Sequence, residues 1–350
     1  MPSGPLSILH VDLSKHFGGA ERYCLDLAGR QAACGHKVGV VIWGQKARDS
    51  YRHHAAPGVT LYWAPCIFAS RTVARAIAAQ KADILHVHLP DAARAVAAAR
   101  RHPPVAMTLH IRYRQKEMGG VDGLIRIADW QERESAGFAG PAITVPNWVP
   151  DEAPFDPVRV AALRTGVGAG LFLVGAVARL NRIKRQDLLI DAWRRAALSG
   201  ARLLLIGEGP DRAALEARAA GDPTILFLGH RDDTQDWYRA LDLFVLASDW
   251  EGMPLSVLEA MRAGAPILAT ASAGTAEVLR DSTAQLVPCG DTAALADALV
   301  QAHADFQAGR PRRAVYDMTR FDAGHAVSRI EDFYRRIIAA RGPSVAGTKA

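Results

Sequence analysis

LFLVGAVARLNRIKRQDLLIDAW, at residues 171–193, begins as a short apolar run and continues into a segment of helical character. Arg179 ends the apolar run, and Arg182, Lys184 and Arg185 crowd the start of the helix. An apolar strand that leads directly into a helix is the repeating unit of a parallel sheet covered by helices. This stretch therefore predicts an α/β domain with basic side chains at the carboxyl edge of its sheet.

The same alternation extends over nearly the whole chain. Strands are predicted at residues 6–13, 37–43, 59–65, 83–89, 105–110, 123–128 and 142–146, and in a second series at 171–180, 201–209, 224–229, 241–248, 265–270 and 284–288. Amphipathic stretches with apolar residues at helical spacing separate them. We therefore expect two Rossmann-like domains, each built on a parallel sheet.

The boundary between the domains is predicted in PNWVPDEAPFDP, residues 146–157, which holds four prolines in twelve residues. Proline removes a hydrogen-bond donor and restricts the residue before it, so neither a helix nor a strand continues through this segment. A chain of 350 residues also exceeds one ordinary core. The expected domains are 1–148 and 149–320, followed by a closing helix at 321–342 and a disordered tail at 343–350.

Composition excludes several classes of protein. The chain is 49% hydrophobic and 22% charged, which is ordinary for a globular protein. No apolar run reaches the roughly 18 residues that span a bilayer, and the first residues lack a signal-peptide pattern, so we expect a cytoplasmic location. The four cysteines, Cys24, Cys34, Cys66 and Cys289, are scattered and predict reduced thiols rather than disulfides or a zinc site.

Positive charge is concentrated in the first half of the chain. Residues 1–150 hold 18 Lys and Arg against 11 Asp and Glu, a net charge of +7, whereas residues 151–350 hold 24 against 25, a net charge of −1. The excess indicates either solvated helix faces or a surface that meets anions, such as an anionic membrane or a diphosphate-linked acceptor. No aromatic-interleaved basic stripe supports binding of nucleic acid.

A glycine-rich turn follows the first strand at KHFGGAE, residues 15–21. Its glycines let backbone N–H groups approach an anion at the helix N-terminus, but the dinucleotide fingerprint is absent. A tight turn in which Glu21 complements the helix dipole explains the residues equally well.

The basic residues of 179–185 are a stronger indication. Cations at a helix N-terminus oppose the helix dipole at a cost of roughly 0.3–1 kcal/mol each, unless an anion lies there. Arg182 and Arg185 can be ordinary exposed residues, whereas Arg179 ends a strand, where α/β sheets bind ligands. A diphosphate held by Arg179 and Lys184 explains this placement.

The segment DWEGMPLSVLEAMRAGAPILAT, residues 249–270, predicts a second anion-receptive helix start. Gly252 permits unusual backbone geometry, and Pro254 suits the first helical position. Glu259 is expected to be buried inside the helix, where ribose hydroxyls would satisfy it. A capping box from Ser256 to Glu259 is the alternative, which the earlier helix start at Pro254 disfavours.

Three histidines lie on neighbouring predicted strands. His86 is interpreted as a satisfied core residue, whereas His88 and His110 end their strands and are expected to face a cleft. Asp232 and Asp233 predict a polar loop or a helix start. No acidic pair follows a strand in the manner of a metal site.

Taken together, the motifs resemble glycosyltransferase family 4, retaining enzymes of the GT-B fold. The resemblance rests on GGAE (18–21), HVH (86–88), TLH (108–110), PNWV (146–149), ARLNRIK (178–184), GEGP (207–210), LGH (228–230), EGMPLSVLE (251–259) and the AGT-x-E of 273–277. The glutamates of 251 and 259, with the upstream Arg and Lys, are its most specific part. Asn147-Trp148 stands where Asn-Gly is commoner, and the segment 111–122, which would form the acceptor wall, is short.

The resemblance implies a role for each matching position. Arg179 and Lys184 would stabilise the departing diphosphate, Glu251 would face the donor-sugar hydroxyls, His110 would lie beside that sugar, and Glu259 would bind the ribose. The implied catalytic residues are thus His110, Arg179, Lys184 and Glu251, and the implied donor-binding residues are Gly18, Gly19, Gly252, Met253, Pro254, Leu255 and Glu259. No metal or cofactor is expected.

The implied reaction moves a sugar, with retained anomeric configuration, from a nucleotide diphosphate sugar to a glycan or lipid-linked acceptor in polysaccharide or lipopolysaccharide synthesis. The resemblance favours UDP over GDP as the nucleotide. A nucleotide-sugar 2-epimerase of the same architecture is the first alternative, although the segments 178–184 and 251–259 favour a transferase. A non-catalytic sugar-binding protein of two domains is the second.

Overall fold

The computed structural model describes residues 4–14, 16–44, 48–65, 68–99, 102–149, 155–310 and 313–341. Within these ranges the strands are β1 Ser7–Asp12, β2 Lys37–Trp43, β3 Val59–Ala64, β4 Ile84–His88, β5 Val105–Leu109, β6 Gly123–Arg126, β7 Ala142–Thr144, β8 Phe172–Val177, β9 Ala201–Ile206, β10 Ile225–Gly229, β11 Leu243–Leu246, β12 Ile267–Thr270 and β13 Gln285–Val287. Each lies inside a predicted strand. The interpretation of these apolar runs as strands is therefore confirmed.

The helices alternate with the strands. They are α1 Gly19–Ala33, α2 Arg48–His54, α3 Ala69–Gln80, α4 Leu89–Ala97, α5 Gln115–Met118, α6 Gln131–Glu134, α7 Pro157–Gly168, α8 Gln186–Ala196, α9 Arg212–Ala219, α10 Thr234–Ala240, α11 Leu255–Arg262, α12 Ala273–Val278, α13 Thr292–Gln307 and α14 Ala323–Arg341. None of these described helices combines the length and the apolar character that crossing a bilayer requires.

Contacts divide the chain into two compact units. The first contains residues 1–148 and 321–350, and the second contains 149–320. Helix α14 therefore packs with the first unit: Ile330, Phe333 and Tyr334 are buried against Ile8 and Ile84 of that unit's sheet. Residues 150–154 of the predicted linker and the predicted tail at 343–350 lie outside the described residues.

The first unit is a seven-stranded sheet in the order β3-β2-β1-β4-β5-β6-β7, with every described pair parallel. Strands β1 and β4 pair in register, so that His10 lies opposite His86 and Asp12 opposite His88. The strand order reverses between β1 and β4. At such a switch point the loops diverge to opposite faces and leave a crevice at the carboxyl ends of the strands.

The second unit repeats this topology with six strands in the order β10-β9-β8-β11-β12-β13. Its order reverses between β8 and β11, which pair in parallel through Leu243 and Val174. The apolar core lies between the sheet and the helices α8 and α13, with Leu189, Trp193 and Leu295 buried in it. The predicted arrangement of two Rossmann-like α/β domains is confirmed.

Candidate active site

In the second unit, the loops after β8 and β11 lie on the two sides of the strand-order reversal. The loop after β8 carries Arg179 and Lys184, and the loop after β11 carries Asp249 and Glu251. Because the carboxyl ends of parallel strands share one edge of the sheet, these side chains belong to one crevice. This is the position at which open α/β sheets bind ligands.

Lys184 and Glu251 form an ion pair across this crevice. The Lys184 Nζ lies 2.6 Å from the Glu251 Oε1, and the two side chains are 22% and 8% exposed. Lys184 closes a short 3-10 turn, Arg182–Lys184, whose N-cap Asn181 accepts a hydrogen bond from the Lys184 backbone N–H. A charged hydrogen bond of this length between largely covered groups fixes both side chains. The structure thus brings together two of the residues predicted from the sequence.

Arg179 lies two residues after the end of β8 and is exposed. Its backbone carbonyl accepts a hydrogen bond from the Gln186 Nε2 at 3.1 Å, which ties the strand end to the first turn of α8. Among the described residues, no carboxylate lies within ion-pair distance of the Arg179 guanidinium. Its charge therefore remains available to an anion in the crevice.

Arg185 is occupied by protein carboxylates. It contacts Asp187 at 3.1 Å and Asp249 at 3.0 Å, and these hydrogen bonds raise the pKa of its guanidinium further above the ordinary value. Its backbone adopts the left-handed conformation, with φ of 50°, at the start of α8. Arg185 therefore links the two loops, whereas Arg182 is simply exposed.

Glycines allow the loops of the crevice to approach one another. A Cβ on Gly207 would lie 2.0 Å from the Ala178 carbonyl oxygen, and one on Gly209 would lie 2.0 Å from the Leu180 carbonyl oxygen. A Cβ on Gly274 would lie 2.1 Å from the Gly252 carbonyl oxygen. A Cβ at any of these three positions would clash with backbone atoms, which cannot move aside cheaply. Glycine is therefore needed at each position for the loops on both sides of the crevice to pack this closely.

Helix α11 begins one residue later than predicted. Pro254 is the N-cap and Leu255 the first helical residue, preceded by the buried Gly252 and Met253. The first backbone N–H groups of a helix have no acceptor within it, so this start provides donors for an anion. Because the helix starts before Ser256, the capping-box alternative is not formed.

Glu259 is less buried than the sequence suggests. It is partly exposed on α11, and its Oε2 accepts a hydrogen bond from the Tyr238 hydroxyl at 2.9 Å. The prediction of a buried carboxylate is therefore wrong, because the apolar neighbours Val257, Leu258 and Ala260 turn to the core on the other side of the helix. A role for Glu259 in binding a ribose remains a proposal.

In the first unit, Gly18 is the N-cap of α1 and Gly19 its first residue. The Glu21 Oε2 accepts a hydrogen bond from the Gly18 N–H at 2.7 Å. Glu21 therefore stabilises the helix start, as in the alternative explanation of this turn. The predicted contribution of Gly18 and Gly19 to donor binding remains a proposal.

Four histidines cluster beneath the switch point of the first unit. The His10 Nε2 lies 2.8 Å from the Gln31 Oε1, the His10 Nδ1 lies 3.1 Å from the His88 Nε2, and the His88 Nδ1 lies 3.0 Å from the His110 Nε2. A branch from Gln31 reaches the Tyr334 hydroxyl, which contacts His86, and His86 in turn contacts Thr108. These rings form one continuous hydrogen-bonded network.

Burial keeps the histidines neutral. It lowers the pKa of His10 to about 4 and that of His110 to about 3, and it lowers the pKa values of His86 and His88 well below the ordinary range. His10, His86 and His88 have ring nitrogens close enough to hold a metal ion. Each of these six nitrogens nevertheless has a hydrogen-bond partner within the protein, which a metal would have to displace.

The outcome for the predicted histidines is mixed. His86 is a satisfied core residue, as predicted. His88 is fully buried with both nitrogens bonded, so its predicted position facing a cleft is wrong. His110 is partly exposed at the end of the chain of rings. His10 was missed, although its position opposite His86 on an adjacent strand is a usable signal.

Two family models match the chain. Residues 17–150 match the model described as Glycosyltransferase Family 4, and residues 171–305 match the model described as Glycosyl transferases group 1.

Curated relatives are similar over part of their length. A lipopolysaccharide core biosynthesis mannosyltransferase of Rhizobium meliloti (LpsB) is 32% identical over 47% of this chain and 49% of its own length. A mannosyltransferase of the same description from Rhizobium leguminosarum (LpcC) is 31% identical over 57% of this chain and 59% of its own. The chain thus spans about half the length of the curated relatives it matches.

Solved structures share the fold along almost the whole chain. The Anabaena protein HepE, solved in complex with UDP and glucose, superposes with a TM-score of 0.80 at 21% identity, covering 95% of this chain and 100% of that one. WaaG, described as a glycosyltransferase involved in lipopolysaccharide biosynthesis, superposes with a TM-score of 0.69 at 16% identity, covering 97% and 100%.

Proposed function

This chain joins a Family 4 and a group 1 glycosyltransferase domain, and we propose that it transfers a sugar from a nucleotide diphosphate sugar to a glycan or lipid-linked acceptor. The observation that carries the proposal is the Lys184–Glu251 pair, 2.6 Å apart at the switch point of the second unit. A cation and a carboxylate at this edge match the two parts of such a donor, its diphosphate and its sugar hydroxyls.

The diphosphate would lie against three sources of positive charge. Arg179 is exposed at the strand end, Lys184 is held 2.6 Å from Glu251, and α11 presents its N-terminal backbone N–H groups. Preorganised donors of this kind stabilise charge that develops on a leaving group more effectively than water does. Glu251 would bind sugar hydroxyls, and the partly exposed Glu259 would bind the ribose.

These groups would replace a metal ion. Two cations and a helix start neutralise a diphosphate without a divalent ion, so we propose that transfer is metal-independent and needs no cofactor. We also propose that the reaction retains the anomeric configuration. The donor base is proposed to be uracil, since the structurally similar HepE is solved with UDP.

The acceptor is proposed to belong to cell-surface polysaccharide or lipopolysaccharide synthesis. The support is that LpsB and LpcC, at 32% and 31% identity, are described as lipopolysaccharide core biosynthesis mannosyltransferases.

Thermal unfolding in the presence of UDP-, GDP- and ADP-sugars tests the donor class, because a ligand that binds the native state raises the unfolding temperature. We expect UDP-sugars to raise it most. No shift with any of these nucleotide sugars would contradict the proposal.

Product analysis separates a transferase from the 2-epimerase alternative. Incubation with the donor alone is expected to release free UDP slowly, through transfer to water, and to leave the remaining donor with its original sugar. An epimerised nucleotide sugar would identify an isomerase instead. A donor that binds without release of UDP, even with acceptor extracts present, would indicate a binding protein.

We further propose that the first unit contacts an anionic membrane from the cytoplasmic face. Phe68, at the N-cap of α3, is 60% exposed, and the Arg71 guanidinium lies 4.5 Å from the centre of its ring. Arg75 and Lys116 are also exposed, and neither forms an ion pair among the described residues. An aromatic ring flanked by cations suits the interface of a bilayer with anionic headgroups.

Ion pairs within the first unit leave fewer unpaired basic side chains than the sequence suggests. Arg94 pairs with Asp91 and Glu117, Arg114 with Glu117, and Arg112 with Glu134, so these guanidinium groups are partly neutralised. Arg100 and Arg101 lie outside the described residues. The proposed contact therefore centres on α3 rather than on all the basic residues of 1–150.

Vesicle co-sedimentation tests this contact. Binding to anionic but not to neutral vesicles is expected, weakening with salt because screening shortens the range of the attraction. Phe68→Ser and Arg71→Gln should each reduce it, whereas Arg195→Gln, an exposed arginine of α8 in the second unit, should not. Equal reduction by all three, or binding indifferent to salt, would contradict the proposal.

A further inference from the structure

In the hydrogen-bonded network of the first unit, one side chain determines which nitrogen of each histidine donates a hydrogen bond and which accepts one. A neutral imidazole has one N–H donor and one nitrogen acceptor, so each ring passes the direction of its hydrogen bond to the next. The chain Gln31–His10–His88–His110 contains three such rings, joined at 2.8, 3.1 and 3.0 Å. Burial lowers the pKa of His10 and of His110, so both are neutral at neutral pH.

Gln31 sets this direction because its amide oxygen only accepts hydrogen bonds. With the Gln31 Oε1 facing His10, the His10 Nε2 carries the hydrogen and the His10 Nδ1 accepts. The His88 Nε2 then donates to His10, and the His110 Nε2 donates to His88. The His110 Nδ1 is left with a lone pair and has no hydrogen-bond partner among the described residues.

Tyr334 holds the amide of Gln31 in this orientation. Its hydroxyl oxygen lies 2.5 Å from the His86 Nδ1 and 3.4 Å from the Gln31 Nε2. The phenol oxygen accepts a hydrogen bond from the Gln31 Nε2, which leaves the phenol hydrogen for the His86 Nδ1. In this orientation the Gln31 amide oxygen faces His10. Tyr334 comes from α14, which therefore contributes to the network from the far end of the sequence.

We propose that Gln31 is a positioning residue that, through His10 and His88, holds His110 as the tautomer with hydrogen on Nε2, so that Nδ1 accepts a hydrogen bond from a sugar hydroxyl at the carboxyl edge of the first unit's sheet. That the ligand is a sugar rests on the proposed function, whereas the tautomer does not. A hydroxyl that donates to a neutral imidazole gains electron density at its oxygen.

Nitrogen NMR on protein with isotope-labelled histidine tests the tautomer without any substrate. Long-range proton–nitrogen spectra distinguish a hydrogen on Nε2 from one on Nδ1, and His110→Gln identifies the His110 signals. We expect wild-type His10, His88 and His110 all to carry the hydrogen on Nε2. A wild-type His110 with its hydrogen on Nδ1 overturns the proposal.

Variants test the role of Gln31. Gln31→Met removes the acceptor while keeping the side-chain volume, and Tyr334→Phe keeps Gln31 but removes the hydroxyl that orients it. Either variant should populate both tautomers of His110 and lower kcat/KM by about tenfold, the ratio expected for the loss of one hydrogen bond in the transition state. If His110 keeps its hydrogen on Nε2 in both variants, Gln31 does not set the direction.

Tyr62→Phe is the matched control for Tyr334→Phe. It removes the hydrogen bond that the Tyr62 hydroxyl donates to the Gln80 Oε1 in the same unit, outside the histidine network. His110 should keep the wild-type tautomer in this variant. A mixture of His110 tautomers as large as in Gln31→Met would show that any disturbance of the core has this effect, and would overturn the specific role of Gln31. Absence of all transfer activity together with the expected tautomers would count against the proposed function alone.

Discussion

The Lys184 Nζ donates a hydrogen bond to the Glu251 Oε1 at 2.6 Å, across the strand-order reversal of the second unit. Each of these side chains is the other's ion-pair partner. A diphosphate that takes the Lys184 ammonium must therefore compete with Glu251, which is only 8% exposed. Donor binding would exchange this pair for two new ones, Lys184 with the diphosphate and Glu251 with sugar hydroxyls.

Glu251→Gln should separate binding of the nucleotide from transfer. The amide removes the competing charge, so UDP should bind more tightly by about 3- to 10-fold, in line with the modest value of a partly exposed ion pair. Transfer should fall by 100-fold or more, on the order of one lost transition-state contact. Calorimetric titration with UDP and a UDP-release assay measure the two effects. Weaker UDP binding in this variant would contradict the exchange of partners.

Gly274→Ala should disrupt the site through the backbone. The added Cβ would lie 2.1 Å from the Gly252 carbonyl oxygen and 2.5 Å from that of Glu251, so the loop after β11 must move. We expect loss of donor binding and destabilisation by about 2 kcal/mol or more, as for other overpacked sites. Urea unfolding and UDP titration measure both. Gly166→Ala is the control, because a Cβ there meets nothing within 4 Å and Ala favours a helix; if it is equally harmful, the contact with Gly252 is not the cause.

The four clustered histidines predict loss of stability in acid. Their unfolded pKa is 6.5, while the folded values are about 4 for His10 and about 3 for His110, and those of His86 and His88 are also lowered. Below pH 6.5 the unfolded chain binds more protons than the folded one, so stability falls as pH falls toward 4, by up to about 1.4 kcal/mol per pH unit for each histidine.

Asp12 acts in the opposite direction, because burial and the nearby Glu21 raise its pKa well above 3.8. Its single contribution is outweighed by the four histidines in this window. Urea unfolding between pH 7.5 and 4.5 should show the net loss, with a shallower slope in His10→Asn. Stability that is constant or rises over this range would show that the histidines are not held neutral.

Activity should survive an excess of chelator. Arg179, Lys184 and the start of α11 supply the positive charge that a divalent ion would otherwise provide. UDP release is measured before and after treatment with EDTA, and again after addition of magnesium or manganese. Rates that collapse with EDTA and return with either metal would contradict the metal-independent proposal.

Most of the fold could be predicted from the sequence because local patterns determine it. Each strand is a short apolar run bounded by polar or glycine residues, as at 37–43, and such runs in alternation with helices lead to few topologies. Lys184 and Glu251 were predictable for a related reason: both follow strand ends, and strand ends of a parallel sheet converge. The positions of Glu259 and His88 were not, because their exposure depends on helix rotation and on neighbouring strands.

The histidine network needed the structure. Gln31 and Tyr334 are separated by 303 positions along the chain, and their contact depends on α14 packing with the first unit. Gln31 lies within an ordinary amphipathic helix, where a polar residue has no local signature of a buried role. Similarly, the contact of Gly274 with the Gly252 carbonyl arises from the packing of two loops. Tertiary contacts of this kind leave no periodic pattern in the sequence.

A UDP titration of wild type, Lys184→Met and Arg182→Met tests the assignment of the diphosphate site most directly. Both substitutions remove one cation from the same 3-10 turn, but only Lys184 pairs with Glu251, whereas Arg182 is exposed. Circular dichroism checks that Lys184→Met still folds although Glu251 loses its cation. We expect Lys184→Met to weaken UDP binding by about 10- to 100-fold, the range for a lost charged hydrogen bond, and Arg182→Met to change it less than about twofold. Equal affinities of the two variants for UDP would contradict the assignment of the diphosphate site.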